Sequence, residues 1–424
     1  MIQILASVFS LLLGAAILVV GNSLLGIVLP VRLGIEHVPE FQSGLVMSAY
    51  YLGFVLGSAR IQALIRRAGH IRAFAAVAAI LTAAAMVHAL IFEIWIWAGL
   101  RIVAGFCMAG LYAIIESWLN VKSSNENRGQ VLSIYVVTIY AASFGGQFLV
   151  NVGTVQGTEL YCVVGLAVVL SLVPVVLTRV AGPEIDKIKA MSLMALYRAS
   201  PLGAVVTCGA GLLSGAFYAL GAIYANALGL SVFDVSLFMG APIFGGLALQ
   251  YPIGWLSDRY DRRTVLLGVI AGALISSVTV ILIAMKQGPF AGTLGAVFVF
   301  GGCLAAIYPI AVSQVYDYIE RAAMVSASGG LLLIWSIGAV AGPLIASALM
   351  GKFGPDAFFM YLVVVALALL IFTRYRMVRR VARPAGEQTG FVPMQTTSAI
   401  AGALDPRTDP LPEFYYEDTD PGDR

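Results

Sequence analysis

The chain is a succession of long apolar runs separated by short polar segments. A helix needs about 20 apolar residues to cross the roughly 30 Å hydrocarbon core of a membrane. Runs of about this length predict an all-α membrane protein with twelve transmembrane helices, because a closed β-barrel would show short alternating segments instead. The predicted spans are 5–30, 43–63, 73–93, 95–119, 129–152, 160–180, 202–228, 235–257, 265–286, 289–313, 324–350 and 356–377.

The basic residues are divided unequally between the two sides of this predicted bundle. Short cytoplasmic loops of membrane proteins carry an excess of Lys and Arg. With the N-terminus placed in the cytoplasm, the cytoplasmic segments hold 21 of the 25 basic residues, the outer loops hold three, and Arg101 lies inside a span. This distribution predicts that both termini are cytoplasmic.

An internal repeat divides the chain into two halves. A shift of 196 residues aligns GFCMAGLYAIIES (105–117) with GGCLAAIYPIAVS (301–313), and the same shift aligns SFGGQFL with AVAGPLI. Two pseudo-symmetric bundles with a site between them are typical of transporters. The predicted organisation is a six-helix bundle over 1–180, a cytoplasmic linker over 181–201, a second six-helix bundle over 202–378, and a disordered, polar cytoplasmic tail over 379–424.

The composition agrees with a lipid-facing surface and offers little for catalysis. The chain is 60% hydrophobic and only 11% charged, with a mean hydropathy of +0.92, whereas soluble domains are about 25% charged. The four cysteines have no metal-ligand spacing, and the three histidines form neither an HExxH motif nor a Ser/His/Asp pattern. We therefore expect no enzyme activity, no metal, no cofactor and no nucleic-acid partner.

The stretch GWLSDRYDRR (254–263) concentrates charge between spans 8 and 9. It resembles the loop signature of the major facilitator superfamily, and the signature positions that match are Gly254, Leu256, Asp258, Arg259, Arg262 and Arg263. QALIRRAGHIR (62–72) is similar to a degraded first copy of that signature between spans 2 and 3. There Arg67, Gly69 and Arg72 match, and Arg66 stands where the acid belongs.

Other stretches narrow the resemblance to one branch of that family. RIVAGFCMAGLYAIIESWL (101–119), NENRGQVLSIY (125–135) and GPLIAS (342–347) look like the YcaD-like branch of bacterial transporters. The resemblance covers about residues 5–378. It implies a major facilitator fold in the inner membrane of a bacterium.

The charged loop also predicts a gate. Asp258 is expected at the inner end of span 8, near the positive N-terminus of span 11. Arg259, Arg262 and Arg263 are candidates to pair with two acids at the end of span 10, Asp317 and Glu320. Such pairs would hold the inner gate shut in the outward-facing state. In the first half, Glu116 is the candidate partner of Arg66 or Arg67. The alternative is a solvated basic loop with no gating role.

Arg101 is the most informative residue inside a span. An Arg at a helix centre costs about 2.5–3.5 kcal/mol on insertion scales, so it should face a water-filled cavity or a partner. It resembles the span-4 signature arginine of the superfamily, with Gly105 at the expected spacing, which in that family is tied to proton-coupled transport. The alternative is that its long stem reaches the membrane interface.

Uncharged polar side chains inside spans are candidates for a midplane site, because polar groups in lipid need partners. These candidates are Asn22, Tyr112, Gln147, Tyr218, Gln250, Tyr308 and Trp335.

The leading hypothesis is therefore a monomeric secondary transporter of a small anionic or polar solute, with the proton as candidate coupling ion and membrane lipids as surroundings. One alternative is a multidrug or metabolite efflux antiporter. An alternative of another class is a non-transporting sensor or lipid-binding protein on the same fold. The sequence does not distinguish import from export.

Overall fold

The structure is a computed structural model that describes residues 2–177, 190–379, 384 and 387–408, without the side chains of residues 2–7. Twelve of its helices are long and apolar enough to cross a membrane, as the hydrophobic pattern predicted. They are α1 (Ile2–Ile35), α2 (Glu40–Ala68), α3 (His70–Leu90), α4 (Ile94–Val121), α5 (Arg128–Phe148), α6 (Glu159–Val176), α8 (Pro201–Ala227), α9 (Val232–Arg259), α10 (Arg262–Met285), α11 (Phe290–Tyr316), α12 (Met324–Phe353) and α13 (Ala357–Arg379).

Local chemistry sets several of the helix ends. Ser200 and Ser231 are N-caps whose hydroxyls accept from backbone N–H groups of α8 and α9, which satisfies donors that the helix itself leaves unpaired. Gly69 alone separates α2 from α3 and has a φ of 79°. Glycine adopts this left-handed conformation without steric cost. The connection between α2 and α3, where the degraded first copy of the signature lies, can therefore be a single residue long.

The helices pack in two groups whose pairings correspond. Within α1–α6, α1 contacts α5, α2 contacts α4, and α3 contacts α6; within α8–α13, α8 contacts α12, α9 contacts α11, and α10 contacts α13. A close approach between helix backbones at a glycine recurs at the predicted shift of 196 residues. A Cβ on Gly105 would lie 1.9 Å from the Tyr50 carbonyl oxygen, and a Cβ on Gly301 would lie 2.2 Å from the carbonyl oxygen of Pro242.

Pairs of glycines four residues apart mark further close helix contacts. A Cβ on Gly53 or Gly57 would meet α4 backbone, and one on Gly211, Gly215, Gly338 or Gly342 would meet backbone at the α8–α12 contact. In the Gly268/Gly272 pair, Gly272 faces Cys303, whereas a Cβ on Gly268 would have no atom within 4 Å.

The part of the chain after α13 brings a correction. The composition predicted a disordered tail from residue 379, but residues 387–408 pack against the helices and include a short 3-10 helix at Ala399–Leu404. We call residues 387–408 the tail segment. Composition missed this packing because it does not record that Met394, Ile400 and Leu404 have apolar helix surfaces to bury against.

Residues 178–189, 380–383, 385–386 and 409–424 lie outside the described residues, and they include the end of the sixth predicted span and parts of the predicted linker and tail. The remainder of the linker contains the short helix α7 (Leu193–Ala199), which is capped by Ser192.

The two ends of the helix bundle differ. The tail segment contacts α4, α5 and α12 at the end where α4 and α11 finish, which we call the tail end. At the opposite end the two halves touch directly: Asn151 donates to Ser236 across 3.1 Å, and Gly44 packs on Ser347. The halves are thus joined directly at one end and are bridged by the tail segment at the other.

Candidate functional site

A cavity of about 290 Å³ lies between the two helix groups. Its walls come from α1, α2, α4 and α5 on one side and from α8, α9, α11 and α12 on the other. The tail segment contributes Met394, Gln395, Thr396 and Thr397. A concave site of this kind, shared by the two halves of an internal repeat, is where transporters hold their substrates.

Arg101 is the cation of this cavity. Gly105, one turn further along α4, lets the α4 backbone approach α2 at Tyr50. The Arg101 guanidinium carbon then lies 4.4 Å from the centroid of the Tyr50 ring, a cation–π arrangement. Arg101 is only 5% exposed, and its buried Nε has no hydrogen-bond partner among the described residues. Arg101 therefore lies buried in the wall of this cavity.

Amides and hydroxyls extend the polar wall beside Arg101. The Gln147 Nε2 donates to the Ser23 hydroxyl across 2.6 Å, and that hydroxyl donates to the Ser143 carbonyl across 2.7 Å. The Gln147 Oε1 is buried, with no partner in the described part of the chain. Asn22 forms a side-chain hydrogen bond with Tyr50. The chain Gln147–Ser23–Ser143 orients the amide and leaves an acceptor at the cavity wall.

Aromatic rings make up much of the remaining wall. Tyr51 meets Trp335 edge to face, with 6.1 Å between ring centroids, and so brings the two halves together across the cavity. Tyr112, Tyr218 and Tyr308 also line it. These rings present apolar faces with hydroxyl groups at their tips, which suits a ligand that has both an apolar body and polar groups.

The structure brings together most of the residues predicted for a midplane site. The predicted residues that line the cavity are Asn22, Arg101, Tyr112, Gln147, Tyr218, Tyr308 and Trp335. Gln250 does not reach it: its Nε2 donates to the Ala305 carbonyl across 3.3 Å, and its side chain lines a separate pocket. Its polar group is therefore used in a contact between α9 and α11.

Sequence reasoning missed Tyr50, Tyr51 and Tyr140, which also line the cavity. A signal was present, because the two adjacent tyrosines lie within one helical turn of Gly53, and small residues mark the helix contact that would carry them inward. The tail residues 394–397 carried no comparable signal.

The charged loop forms one of the predicted pairs. Arg262 binds Asp317, and both residues are buried. Arg262 also donates to the Ser313 carbonyl across 3.0 Å. Since α10 and α11 belong to the same half, this ion pair stabilises their junction and does not join the two halves.

The other predicted pairings in this loop are not formed in this structure. Arg263 pairs with its neighbour Asp261 at 3.1 Å, because Asp261 is also the N-cap of α10 and lies within reach. Arg259 stacks on Trp255, with 3.9 Å from guanidinium carbon to ring centroid. Glu320 is exposed and forms no ion pair among the described residues.

The two remaining acids of the predicted gate bind the tail segment. Asp258 accepts from the backbone N–H of Phe391 across 2.6 Å. Glu116 is completely buried and accepts from the hydroxyls of Tyr135, Thr397 and Ser398. The predicted pairing of Glu116 with Arg66 or Arg67 is not formed in this structure.

The basic residues next to the connection between α2 and α3 show why this pairing does not form. Arg66, Arg67 and Arg72 are exposed and form no ion pair within the described part of the chain. The tail segment and Tyr135 occupy the carboxylate of Glu116 instead. No group of three His, Cys, Asp or Glu in the described residues has an arrangement that would hold a metal ion.

Comparisons with known proteins agree with this architecture. The sequence profile of the Major Facilitator Superfamily matches residues 11–201 and 202–410. The chain is 26% identical over 366 residues to the uncharacterized MFS-type transporter YcaD of Escherichia fergusonii, which spans 86% of this chain and 94% of that protein. It is 28% identical over 367 residues to YcaD of Escherichia coli O139:H28, with the same coverage.

Solved structures share the fold. The nucleoside transporter NupG superimposes with a TM-score of 0.71 at 12% identity, covering 88% of this chain and 98% of NupG. A bacterial homologue of the human lysosomal transporter Spinster gives a TM-score of 0.70 at 15% identity, covering 88% and 97%. The twelve membrane helices, the two matching halves and these likenesses lead to one conclusion: the chain belongs to the Major Facilitator Superfamily, is similar to its YcaD-type members, and is an integral membrane transport protein rather than an enzyme.

Proposed function

We propose that this protein is a secondary active transporter that moves a small solute with an anionic group and an apolar body across the inner membrane of a bacterium by alternating access. The observation that carries the proposal is Arg101, a buried cation in the wall of the cavity between the halves, whose Nε has no hydrogen-bond partner among the residues that the structure describes. A buried charge without a counter-ion is costly. A substrate anion would supply that counter-ion.

The rest of the wall supports this substrate class. The cavity of about 290 Å³ is near the lower end of small-molecule sites, about 300–1,000 Å³. The Gln147 and Asn22 amides offer hydrogen bonds beside the cation, and the tyrosine rings with Trp335 cover an apolar body. All these groups come from one chain, so the proposed unit of transport is a monomer.

The proposed orientation places the tail end in the cytoplasm. The loops at that end hold most of the basic residues, in agreement with the positive-inside rule. In this orientation the halves touch on the outer side, and the tail segment lies on the cytoplasmic side of the cavity.

We also propose that transport is proton-coupled through Glu116. Its carboxylate is fully buried and accepts hydrogen bonds from three hydroxyls and from the Ala401 backbone, and no cation among the described residues forms an ion pair with it. It lies one turn from Tyr112, which lines the cavity. A buried carboxyl next to a substrate cavity is a suitable proton carrier in a membrane.

The test is a thermal-shift screen of purified protein against metabolites sorted by charge, with wild type and Arg101→Gln in parallel. A ligand at 100 times its Kd that binds only folded protein adds about 2.7 kcal/mol of stability. We expect anions to stabilise the wild type and not Arg101→Gln, and the same anions to move in proteoliposomes. Equal stabilisation of both proteins would contradict the role of Arg101, and binding without flux would favour a sensor.

Proton coupling is tested separately with Glu116→Gln. The expected result is loss of uphill transport driven by a pH gradient, with substrate exchange at equal pH retained. If the variant still accumulates substrate in response to a pH gradient, Glu116 is not the coupling group.

A further inference from the structure

The tail segment makes specific contacts with the N-terminal half. The hydroxyls of Thr397 and Ser398 both donate to the buried carboxylate of Glu116. The Arg128 Nη2 donates to the Thr408 carbonyl across 2.7 Å. These are charge-assisted hydrogen bonds, which are about twice as strong as neutral ones, and they hold both ends of the 3-10 helix against α4 and α5.

The same segment makes equally specific contacts with the C-terminal half. Thr389 donates its backbone N–H to Asp317 across 2.8 Å and its hydroxyl across 2.9 Å, and its carbonyl accepts from Arg262. Phe391 packs on Gly254, where a Cβ would lie 2.2 Å from the ring. Gly254 and Arg262 of the charged loop, together with Asp317, therefore form the surface on which Thr389 and Phe391 lie.

Internal contacts fix the shape of the segment. Asp405 is completely buried and binds Arg407, with 2.6 Å between Oδ2 and Nη2. Arg407 in turn donates to the Ser313 hydroxyl across 2.7 Å and to the Gly390 carbonyl across 2.9 Å. The Arg407 guanidinium thus ties both ends of the segment to α11.

We propose that the tail ends of the two helix groups form a binding site for the chain's own residues 387–408, and that the docked segment closes the cavity and stabilises the conformation in which the halves are apart at this end. Glu116 belongs to one half and Asp317 to the other, and the segment lies between them. Closure of the tail end would bring the halves into the volume that the segment occupies.

The conformational consequence follows from linkage. A ligand that binds only one of two conformations shifts the population towards it, and here the ligand is part of the same chain. Docking of the tail segment therefore disfavours the other conformation, in which the tail end closes and the opposite end, where Asn151 contacts Ser236, opens. An inhibitory effect on flux rests on the proposed alternating-access function, whereas docking and the population shift do not.

Docking is tested by cross-linking Ser328→Cys to Gly402→Cys after the native cysteines are replaced by Ala. A Cβ on Gly402 would lie 2.6 Å from the Ser328 Cβ, and a disulfide needs about 3.8 Å, so a small shift suffices. With a protease site inserted between Arg379 and Glu387, the cut tail should remain attached after oxidation and separate on reduction. Single-cysteine variants are the controls. A tail that separates after oxidation would overturn the docking proposal.

The population shift is tested in full-length chains that carry Ser236→Cys in the same background. Ser236 is completely buried where the halves meet, so a membrane-impermeant maleimide labels it only when that end opens. The variant Thr389→Val, Thr397→Val, Ser398→Ala removes three tail hydroxyls, and Thr396→Val, a neighbour with no hydrogen bond among the described residues, is the control. We expect about 5- to 150-fold faster labelling in the triple variant and no change in the control.

The outcomes separate the two parts of the proposal. Cross-linking together with faster labelling supports both. Cross-linking with an unchanged labelling rate overturns the population shift and leaves the docked segment as a static part of the fold. Neither measurement requires a transported substrate, so failure here is distinguishable from failure of the transport proposal.

Discussion

The guanidinium carbon of Arg101 lies 4.4 Å from the centroid of the Tyr50 ring, inside the cavity between the two helix groups. The ring compensates part of the cost of a buried cation without neutralising it, because a π-face attracts a cation but carries no net charge. A positive charge thus remains to attract a ligand.

The first prediction concerns this ring. Tyr50→Phe keeps the π-face and should change anion affinity by less than Tyr50→Leu, which removes it. A desolvated cation–π contact contributes about 2 kcal/mol, so Tyr50→Leu should lower the stability of the protein by about that amount and let Arg101 take other rotamers. Thermal unfolding and ligand titration of the two variants provide the measurement. Equal effects of Phe and Leu would show that the hydroxyl, and not the ring, matters.

The second prediction concerns helix packing. Gly105→Ala places a methyl group 1.9 Å from the Tyr50 carbonyl, and overpacking of this kind costs about 1–3 kcal/mol. Gly268→Ala is the matched control, since no atom lies within 4 Å of its Cβ position, and there alanine should stabilise the helix by about 1 kcal/mol. Unfolding temperatures in detergent should therefore shift in opposite directions. A stable Gly105→Ala protein would contradict the close α2–α4 contact.

The third prediction separates the two ion pairs of the charged loop. Asp317→Asn breaks a buried ion pair, and the loss of one partner of such a pair typically lowers the free energy of unfolding by about 3–5 kcal/mol. Its remaining hydrogen bonds to Thr389 place the expected loss at the lower end of that range. Asp261→Asn removes a pair whose acid is 31% exposed, and asparagine still caps a helix, so the loss should stay within about 1 kcal/mol. Similar losses in the two variants would mean that burial of the Arg262–Asp317 pair has no energetic consequence.

The fourth prediction concerns the end opposite the tail. A Cβ on Gly44 would lie 2.3 Å from the Ser347 Cβ, near enough for Gly44→Cys and Ser347→Cys to form a disulfide after a small shift. Because it would join the two halves on that side, oxidation should stop flux in proteoliposomes and reduction should restore it. Each single variant serves as its control. Continued flux with the disulfide fully formed would be incompatible with alternating access.

Local patterns were sufficient for the spans and for part of the cavity. Apolar run length predicted all twelve membrane helices, and the polar residues inside spans included Arg101, Gln147 and Trp335, which do line the cavity. A polar group inside a span has few places to go except inward, so its sequence position alone is informative. Gln250 shows where this inference fails, because a polar side chain that points away from lipid can also bind a neighbouring helix and not reach the cavity.

Partner choice in the charged loops was not readable from the sequence. Arg263 and Asp317 are both charged and both near the tail end, yet Arg263 pairs with Asp261, two residues away. Pairing depends on which side chains the helix ends bring within about 4 Å of each other, and the positions of charged residues along the sequence do not give that distance.

The sequence by itself determined the membrane class, the number of spans, the repeat and the family resemblance, because each depends on hydrophobicity and local motif. Only the tertiary structure decided the destination of the tail segment and the partner of Glu116. Residues 387–408 lie in a tail, residues 379–424, whose richness in Pro, Thr, Asp and Glu predicts disorder. They are ordered because Glu116, Asp258 and Asp317, which are distant in sequence, come together at the tail end and accept hydrogen bonds from them.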